Sequence, residues 1–385
     1  MNFNLTEEQQ LLDDTVRRFV AKEYGLEQRR AVMNSASGWS REVWGQLADM
    51  GLLALHVPEA HGGLDAGAVE TLVVMQALGQ GLALEPFLAS AVIATELLRS
   101  TGDDAQQAAW LPALASGERV AVLAHDEAPA RGIDLHVDTR AHRTGDGYVL
   151  NGHKSVVLHA GAADVLLVSA RTHGEADQAD GVSLFLVPRD TPSVVLREYR
   201  TVDGQRAADV QLNGTYVAAS GRLGAEGGAW PAIQRALDIG LAALCAEAVG
   251  VIKAVVDATI EYLQTRKQFG QPIGRFQALQ HRAADLLMHY EQAKSMSIYA
   301  AVRCRHDDAA ERAKALSAAK VVIGRACRFV SQQAVQLHGG MGVTDELVVS
   351  HQFKRLMAIE LSLGDTDAHL QRYSELSREG RLQPA

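Results

Sequence analysis

Two carboxylates stand where the chain could do acid–base chemistry. Glu247 lies inside the apolar run Ala242–Ile252. An ionised side chain there needs a cationic partner or a raised pKa, and the latter is common in catalytic groups. Both readings are open: a buried pair with an arginine from a neighbouring helix, or a chemical role. Asp365, in Gly364-Asp365-Thr366, has the type and position of the N-cap of a last helix. The fourteen histidines form no HExxH or HxH pattern, so no metal site is expected. Cys245, Cys304 and Cys327 form no CxxC pair, which argues against a zinc ribbon or a disulfide framework and for a reduced, cytoplasmic protein. The polar, acidic start of the chain does not read as a signal peptide. Lys354-Arg355, Arg303 and Arg305 read as solvated helix faces that could also rim an anionic ligand. Gly62-Gly63 and Gly227-Gly228 read as turns.

The elements that must position these residues follow from composition and spacing. The chain has 385 residues, 47% hydrophobic and 22% charged, with a net charge of −9. That composition is globular and argues against bulk binding of nucleic acid. An anionic ligand must be met by a few local groups. Seven of nine prolines fall between residues 58 and 231, which leaves the remainder free to form long helices. Residues 1–118 read as helical, beginning with the capping box Thr6-Glu7-Glu8-Gln9. Residues 119–222 read as short strands between turns, a barrel or sandwich, with Gly145-Asp146-Gly147, Asn151-Gly152 and Asn213-Gly214 as turn signals. Residues 223–385 read as long helices: 230–266, 274–305, 308–338, 345–363 and 365–379. The apolar stretch 240–260 carries Glu247, Lys253 and Asp257, so it reads as a buried helix and no membrane span is expected.

This order, helical domain, β domain, helical bundle, resembles the flavin-dependent acyl-CoA dehydrogenases, and local motifs carry the resemblance. Arg266-Lys267-Gln268-Phe269-Gly270-Gln271-Pro272-Ile273 with Phe276-Gln277 is similar to the family's "RxxFGxxI…FQ". Gln336-Leu337-His338-Gly339-Gly340-Met341-Gly342 is similar to "QxxGGxG", and Gly147-Tyr148-Val149-Leu150-Asn151-Gly152-His153-Lys154 to "GYxLNGxK". The resemblance implies FAD, an acyl-CoA substrate and α,β-desaturation: a carboxylate takes the α-proton and a hydride passes to flavin N5. It implies that Arg266 and Phe269 contact the dinucleotide part of a flavin held mainly by a neighbouring subunit. Gln336, Gly339 and Gly340 would line its ADP half. In isolation the arginine would be a solvated residue and the double glycine a helix-ending turn. Electron-transferring flavoprotein is the implied acceptor.

Matching Leu370-Gln371-Arg372 to the end of "EGTxxIQR" puts Asp365 at the position of the family's base, one methylene shorter than the usual Glu. Asp365 could serve as base, cap or both. Asp367 and His369 fall where flavin-contacting residues are typical. Relatives that carry the base on the first long helix of the bundle would place it at Gly240, which has no side chain. Glu247 lies two turns further on and is the other candidate, as base or as a group orienting the thioester carbonyl. The β domain departs from the family pattern. Asp126 stands for the Thr of "TEPxAGSD", and Val156 and Leu158 stand for the Trp and hydroxyl residue of "WITNG", so flavin contacts at residues 126 and 158 fall to the backbone. These departures resemble the small subunit of pimeloyl-CoA dehydrogenase. They imply a homo-oligomer or a heteromer with a larger homologous subunit. Two alternatives remain: a non-catalytic, flavin-completing subunit, and a same-fold flavin oxidase or monooxygenase.

Overall fold

The computed structural model describes residues 5–130 and 135–382. Residues 131–134, the end of the stretch compared with "TEPxAGSD", lie outside the described residues. The leading helices are α1 (Glu7–Glu23), α2 (Leu26–Met33), α3 (Arg41–Asp49), α4 (Ala68–Gly81), α5 (Thr95–Thr101) and α6 (Asp104–Ala115). The strands follow: β1 (Ala121–Ala124), β2 (Arg140–Thr144), β3 (Gly147–Leu158), β4 (Val165–Arg171), β5 (Val182–Pro188), β6 (Val194–Arg200), β7 (Arg206–Ala218) and β8 (Arg222–Leu223). The chain closes with α7 (Trp230–Thr265), α8 (Gln277–Arg303), α9 (Ala309–His338), α10 (Val348–Leu361) and α11 (Thr366–Leu382).

The residues group into two compact units, each assembled from separate stretches of chain. The first contains residues 1–30, 68–83 and 241–385, so α1 and α4 belong with the C-terminal bundle. The capping box forms as read: Gln9 donates its backbone N–H to the Thr6 hydroxyl, and the Gln9 side chain accepts from the Thr6 N–H. Helices α4 and α7 approach closely through a pair of glycines. A methyl group on Gly79 would overlap the Glu247 carbonyl oxygen, and one on Gly250 would overlap that of Gln76. The backbones touch because neither residue has a Cβ. Helix α7 has the length and hydropathy of a membrane span, but 89% of its most apolar window is buried inside the protein.

The second unit contains residues 31–67 and 84–240. Its strands form one eight-stranded mixed sheet in the order β6-β7-β3-β2-β4-β5-β8, with β1 parallel to β4. One face packs Ala121, Val165, Leu167, Leu184 and Leu186 against Leu97, Leu98, Leu111 and Ile233. The intervening residues of β4 and β5 are buried as well, so these central strands are covered on both faces. The two Asn-Gly pairs are not turns. Asn151 and Asn213 pair within the long ladder of β3 and β7, at a register shift, and the Asn151 side chain accepts the Gly214 N–H at 2.8 Å. Asparagine and glycine serve here as a bulge, a structure that needs the same conformational tolerance as a turn. The turn between β2 and β3 forms at Gly145-Asp146, as the glycine signal there implied. A π-helix, Phe87–Ala94, leads directly into α5.

Replacing Gly250 by Ala forces two backbones apart. It is expected to destabilise the protein by about 1–3 kcal/mol or more, read from urea unfolding.

Candidate functional site

The turn between α10 and α11 carries Asp365, and helix α9 holds that turn. Asp365 caps α11, with Oδ1 accepting the Ala368 N–H at 2.8 Å. Its Oδ2 has no partner among the described residues, and the side chain is half-buried. Leu363, two residues earlier, adopts a left-handed φ of 53°. A branched residue pays strain there unless its surroundings hold it. They do. The His369 ring is fully buried and bridges the Leu363 carbonyl, 2.8 Å from Nε2, and the Ser317 hydroxyl, 3.1 Å from Nδ1. A carbonyl only accepts, so Nε2 carries the proton and Nδ1 accepts from Ser317. Burial pushes the pKa of His369 down to about 4, in keeping with a neutral ring. Both ring nitrogens are thus engaged inside the chain, while Asp367 is exposed in the first turn of α11.

Lys320 completes this arrangement, and sequence reading missed it. It is 1% exposed, and its ammonium donates to the carbonyls of Ile359 (3.0 Å), Glu360 (3.0 Å), Ser362 (2.6 Å) and Gly364 (2.7 Å). Burial lowers its pKa, opposed by the carboxylates of Glu360 and Asp365. A lysine on the otherwise apolar stripe Leu316-Ala319-Ile323 of α9 was the available signal.

Glu247 is not free. Arg355 on α10 grips it with two bonds, Nε at 2.6 Å and Nη2 at 2.8 Å, one to each carboxylate oxygen, and both residues are buried. Of the two readings, the partnered one is observed. Arg355 was expected on a solvated face and instead is 6% exposed, because the apolar run around Glu247 has no other way to accommodate a charge.

The other motif residues gather at one end of the bundle. Arg266 follows α7 directly, and the tip Phe269-Gly270 has positive φ at both positions, 52° and 77°, the geometry of a tight two-residue hairpin. Phe269 is 90% exposed, and the exposed Arg266 makes no ion pair among the described residues. Tyr262 of α7 stacks on His338 at the end of α9, with ring centroids 4.4 Å apart. This contact brings the hairpin beside Gln336, Gly339 and Gly340, all exposed. Nothing lies within 4 Å of where a Cβ would sit on either glycine. An uncommitted guanidinium, an exposed ring and open backbone fit the dinucleotide part of FAD.

In the second unit, the Asp126 carbonyl accepts the Ser155 N–H at 2.8 Å, which seats the exposed Asp126 beside the end of β3, near Leu158. Lys154, fully buried, fixes this loop. Its ammonium reaches the Glu127 carboxylate (2.7 Å), the Ser169 hydroxyl (3.0 Å) and the His125 carbonyl (3.2 Å). Burial works against ionising Glu127, but Lys154 outweighs it and holds the carboxyl below its ordinary range. Burial also pushes the pKa of His125 down to about 3. Val156, at a register shift in β3, has a φ of 53° and is 53% exposed.

Two predictions follow from the buried charges. Arg355→Met strands Glu247 and is expected to cost about 3–5 kcal/mol, whereas the double variant with Glu247→Leu recovers most of it; chemical denaturation of the two reads this. Unfolded histidines take up a proton near pH 6.5, while His369 and His125 resist it until about pH 4 and 3. The unfolded state therefore binds more protons as pH falls below 6.5, and stability falls with it. Unfolding free energy is expected to be lower at pH 5 than at pH 7, with a shallower slope in His369→Gln.

Comparison with known proteins shows the family. Family models for the acyl-CoA dehydrogenase N-terminal, middle and C-terminal domains match residues 6–118, 127–214 and 227–375. The chain is 30% identical over 375 residues to a probable acyl-CoA dehydrogenase, YngJ, of Bacillus subtilis, covering 95% of this chain and 97% of the relative. It is 31% identical over 379 residues to acyl-CoA dehydrogenase FadE27 of Mycobacterium tuberculosis, covering 97% of each. Among solved structures, a chain of the ChsE4–ChsE5 complex from Mycobacterium tuberculosis superposes with a TM-score of 0.87 at 29% identity, covering 100% of both chains. The protein belongs to the acyl-CoA dehydrogenase family, FAD-dependent oxidoreductases acting on the CH–CH bond of acyl-CoA thioesters.

Proposed function

We propose that Asp365 is the base that takes the α-proton of the acyl-CoA thioester. The observation that carries this is the free Oδ2 of a carboxylate whose other oxygen is fixed by the Ala368 N–H. One oxygen sets the orientation and the other is available to the substrate. Glu247, the alternative, has both oxygens committed to Arg355. Bound FAD supplies the hydride acceptor for the β-carbon. The α-proton of a thioester is too weakly acidic for a free carboxylate, so Asp365 needs a desolvated setting and a polarised carbonyl to act. In this reading His369 supports the Asp365 turn through the Leu363 carbonyl instead of touching the flavin, and Asp367 is left to face it.

Arg266, Phe269, Gln336, Gly339 and Gly340 are proposed to hold the dinucleotide part of a second subunit's flavin. Support comes from distance: along α9, Lys320 and Gln336 are sixteen residues apart, roughly 24 Å. The two groups of residues therefore serve separate places. On the β-domain side, Asp126 and Leu158 are proposed to contact the isoalloxazine through their backbone. The protein is proposed to be a cytoplasmic oligomer that passes electrons to electron-transferring flavoprotein.

A second reading rests on Val156 and Leu158, which offer neither an aromatic ring nor a hydroxyl to a flavin. In it the chain is the smaller, flavin-completing member of a heteromer of the pimeloyl-CoA dehydrogenase type; that a similar solved chain comes from a two-protein complex supports a heteromer. The visible spectrum decides. A yellow protein bleached anaerobically by one of a panel of straight-chain, branched and ω-carboxylated acyl-CoAs supports the enzyme. A colourless protein, inert with added FAD, supports the second reading, and oxygen-consuming turnover without CoA would point to an oxidase. In the active enzyme, Asp365→Asn is expected to lower turnover about 100-fold or more. Full turnover in that variant removes Asp365 as the base.

A further inference from the structure

One face of α9 does more than pack. Ser317, Lys320, Gly324 and Arg328 are spaced by three, four and four residues and so lie along a single side of the helix. Each acts on the connection between α10 and α11. Ser317 donates to His369, whose ring donates to the Leu363 carbonyl. Lys320 gathers the carbonyls of Ile359, Glu360, Ser362 and Gly364. Gly324 gives the start of α11 its room: a methyl group there would overlap the Thr366 hydroxyl. Arg328 pairs with Glu360 at 2.8 Å, and the same carboxylate oxygen accepts the Thr366 N–H (3.1 Å) and hydroxyl (2.8 Å).

Many polar groups of the connection are therefore met by α9, and others by α10 and α11 themselves. Carbonyls at the end of α10 carry partial negative charge and meet a cation, and the first free N–H of α11 meets a carboxylate. The strained Leu363 sits between two carbonyls that share one ammonium. Asp365 follows directly, so its carboxylate takes its position from a segment anchored on both sides.

We propose that Lys320 is a positioning residue for the oxidation step, acting through the 361–365 turn to fix where the Asp365 carboxylate meets the α-proton. This rests on the reading of Asp365 as base. Lys320 touches neither substrate nor flavin in this account. Four acceptors converging on one point suit a compact ammonium. A planar guanidinium carries its donors in a fixed fork and cannot reproduce that convergence.

The test uses the FAD-loaded oligomer and the acyl-CoA that bleaches it fastest. Lys320→Met is expected to lower kcat per bound flavin on the order of 100-fold, the scale of a roughly 1 Å misplacement. KM should stay within about threefold, since substrate binding keeps its contacts. The α-deuterium isotope effect on kcat should rise as proton removal becomes limiting. Independently of activity, amide exchange at residues 361–366 should accelerate while the interior of α9 stays protected. A purely structural lysine would cost flavin content and melting temperature but leave turnover per flavin and the isotope effect unchanged, which overturns the proposal. Asp365→Asn, measured alongside, separates the two ideas. If it is inactive while Lys320→Met turns over normally, the positioning role falls and the base stands. If it is fully active, the base assignment falls, and the positioning role with it. Should Lys320→Met fail to fold, Lys320→Arg decides, with a loss of about tenfold or more expected per flavin and unchanged turnover overturning the proposal.

Discussion

A buried ammonium has to be met by acceptors, and around Lys320 those acceptors are backbone carbonyls of a turn that has few other ways to satisfy them. The need is mutual. Without Lys320, the Glu360, Ser362 and Gly364 carbonyls would lose the ammonium that meets them. Without those carbonyls, a lysine on the apolar side of α9 would be untenable. This reciprocity fixes the direction in which α10 stops and α11 begins. It also makes a left-handed leucine affordable, because Leu363 is held from both sides and by His369. The orientation of the Asp365 cap follows from that geometry.

The same physics recurs at two other places, with different consequences. In the second unit, Lys154 is fully buried and ties Glu127, Ser169 and the His125 carbonyl, so the loop bearing Asp126 is pinned beside the end of β3. In the bundle, Arg355 engages both carboxylate oxygens of Glu247, and the pair contributes a fixed cross-link between α7 and α10. Such pairs add little net stability against an apolar core of equal volume, but they admit one geometry. Set beside them, Asp365 is different in kind. It is a partly buried carboxylate with one oxygen uncommitted, the condition a proton acceptor needs.

Much of the local structure was legible from the chain. The capping box at Thr6 forms as read, since it depends only on residues three apart. The scarcity of proline after residue 231 foretold the long helices, because each interior proline would have broken one. The Asn-Gly pairs were misread. A residue pair that tolerates unusual backbone angles serves a bulge as well as a turn, and cross-strand pairing between β3 and β7 made the choice. Arg355 was misread as solvated because its partner stands 108 residues away on another helix. Lys320 went unnoticed for the same reason: its partners are carbonyls, which carry no side-chain signature.

The sequence by itself determined the family, through motifs built on glycines, an arginine and a phenylalanine. It also determined the helical and strand periods and the candidacy of two carboxylates. Only the tertiary structure showed that one of them is paired and that the other keeps an uncommitted oxygen among the described residues. Whether a charge is committed depends on what reaches it through space, and Arg355 reaches Glu247 while nothing described reaches the second oxygen of Asp365. Spacing along a chain specifies which side chains share a helix face. It does not specify which backbone oxygens another helix will bring to that face, and here those oxygens set the position of the proposed base.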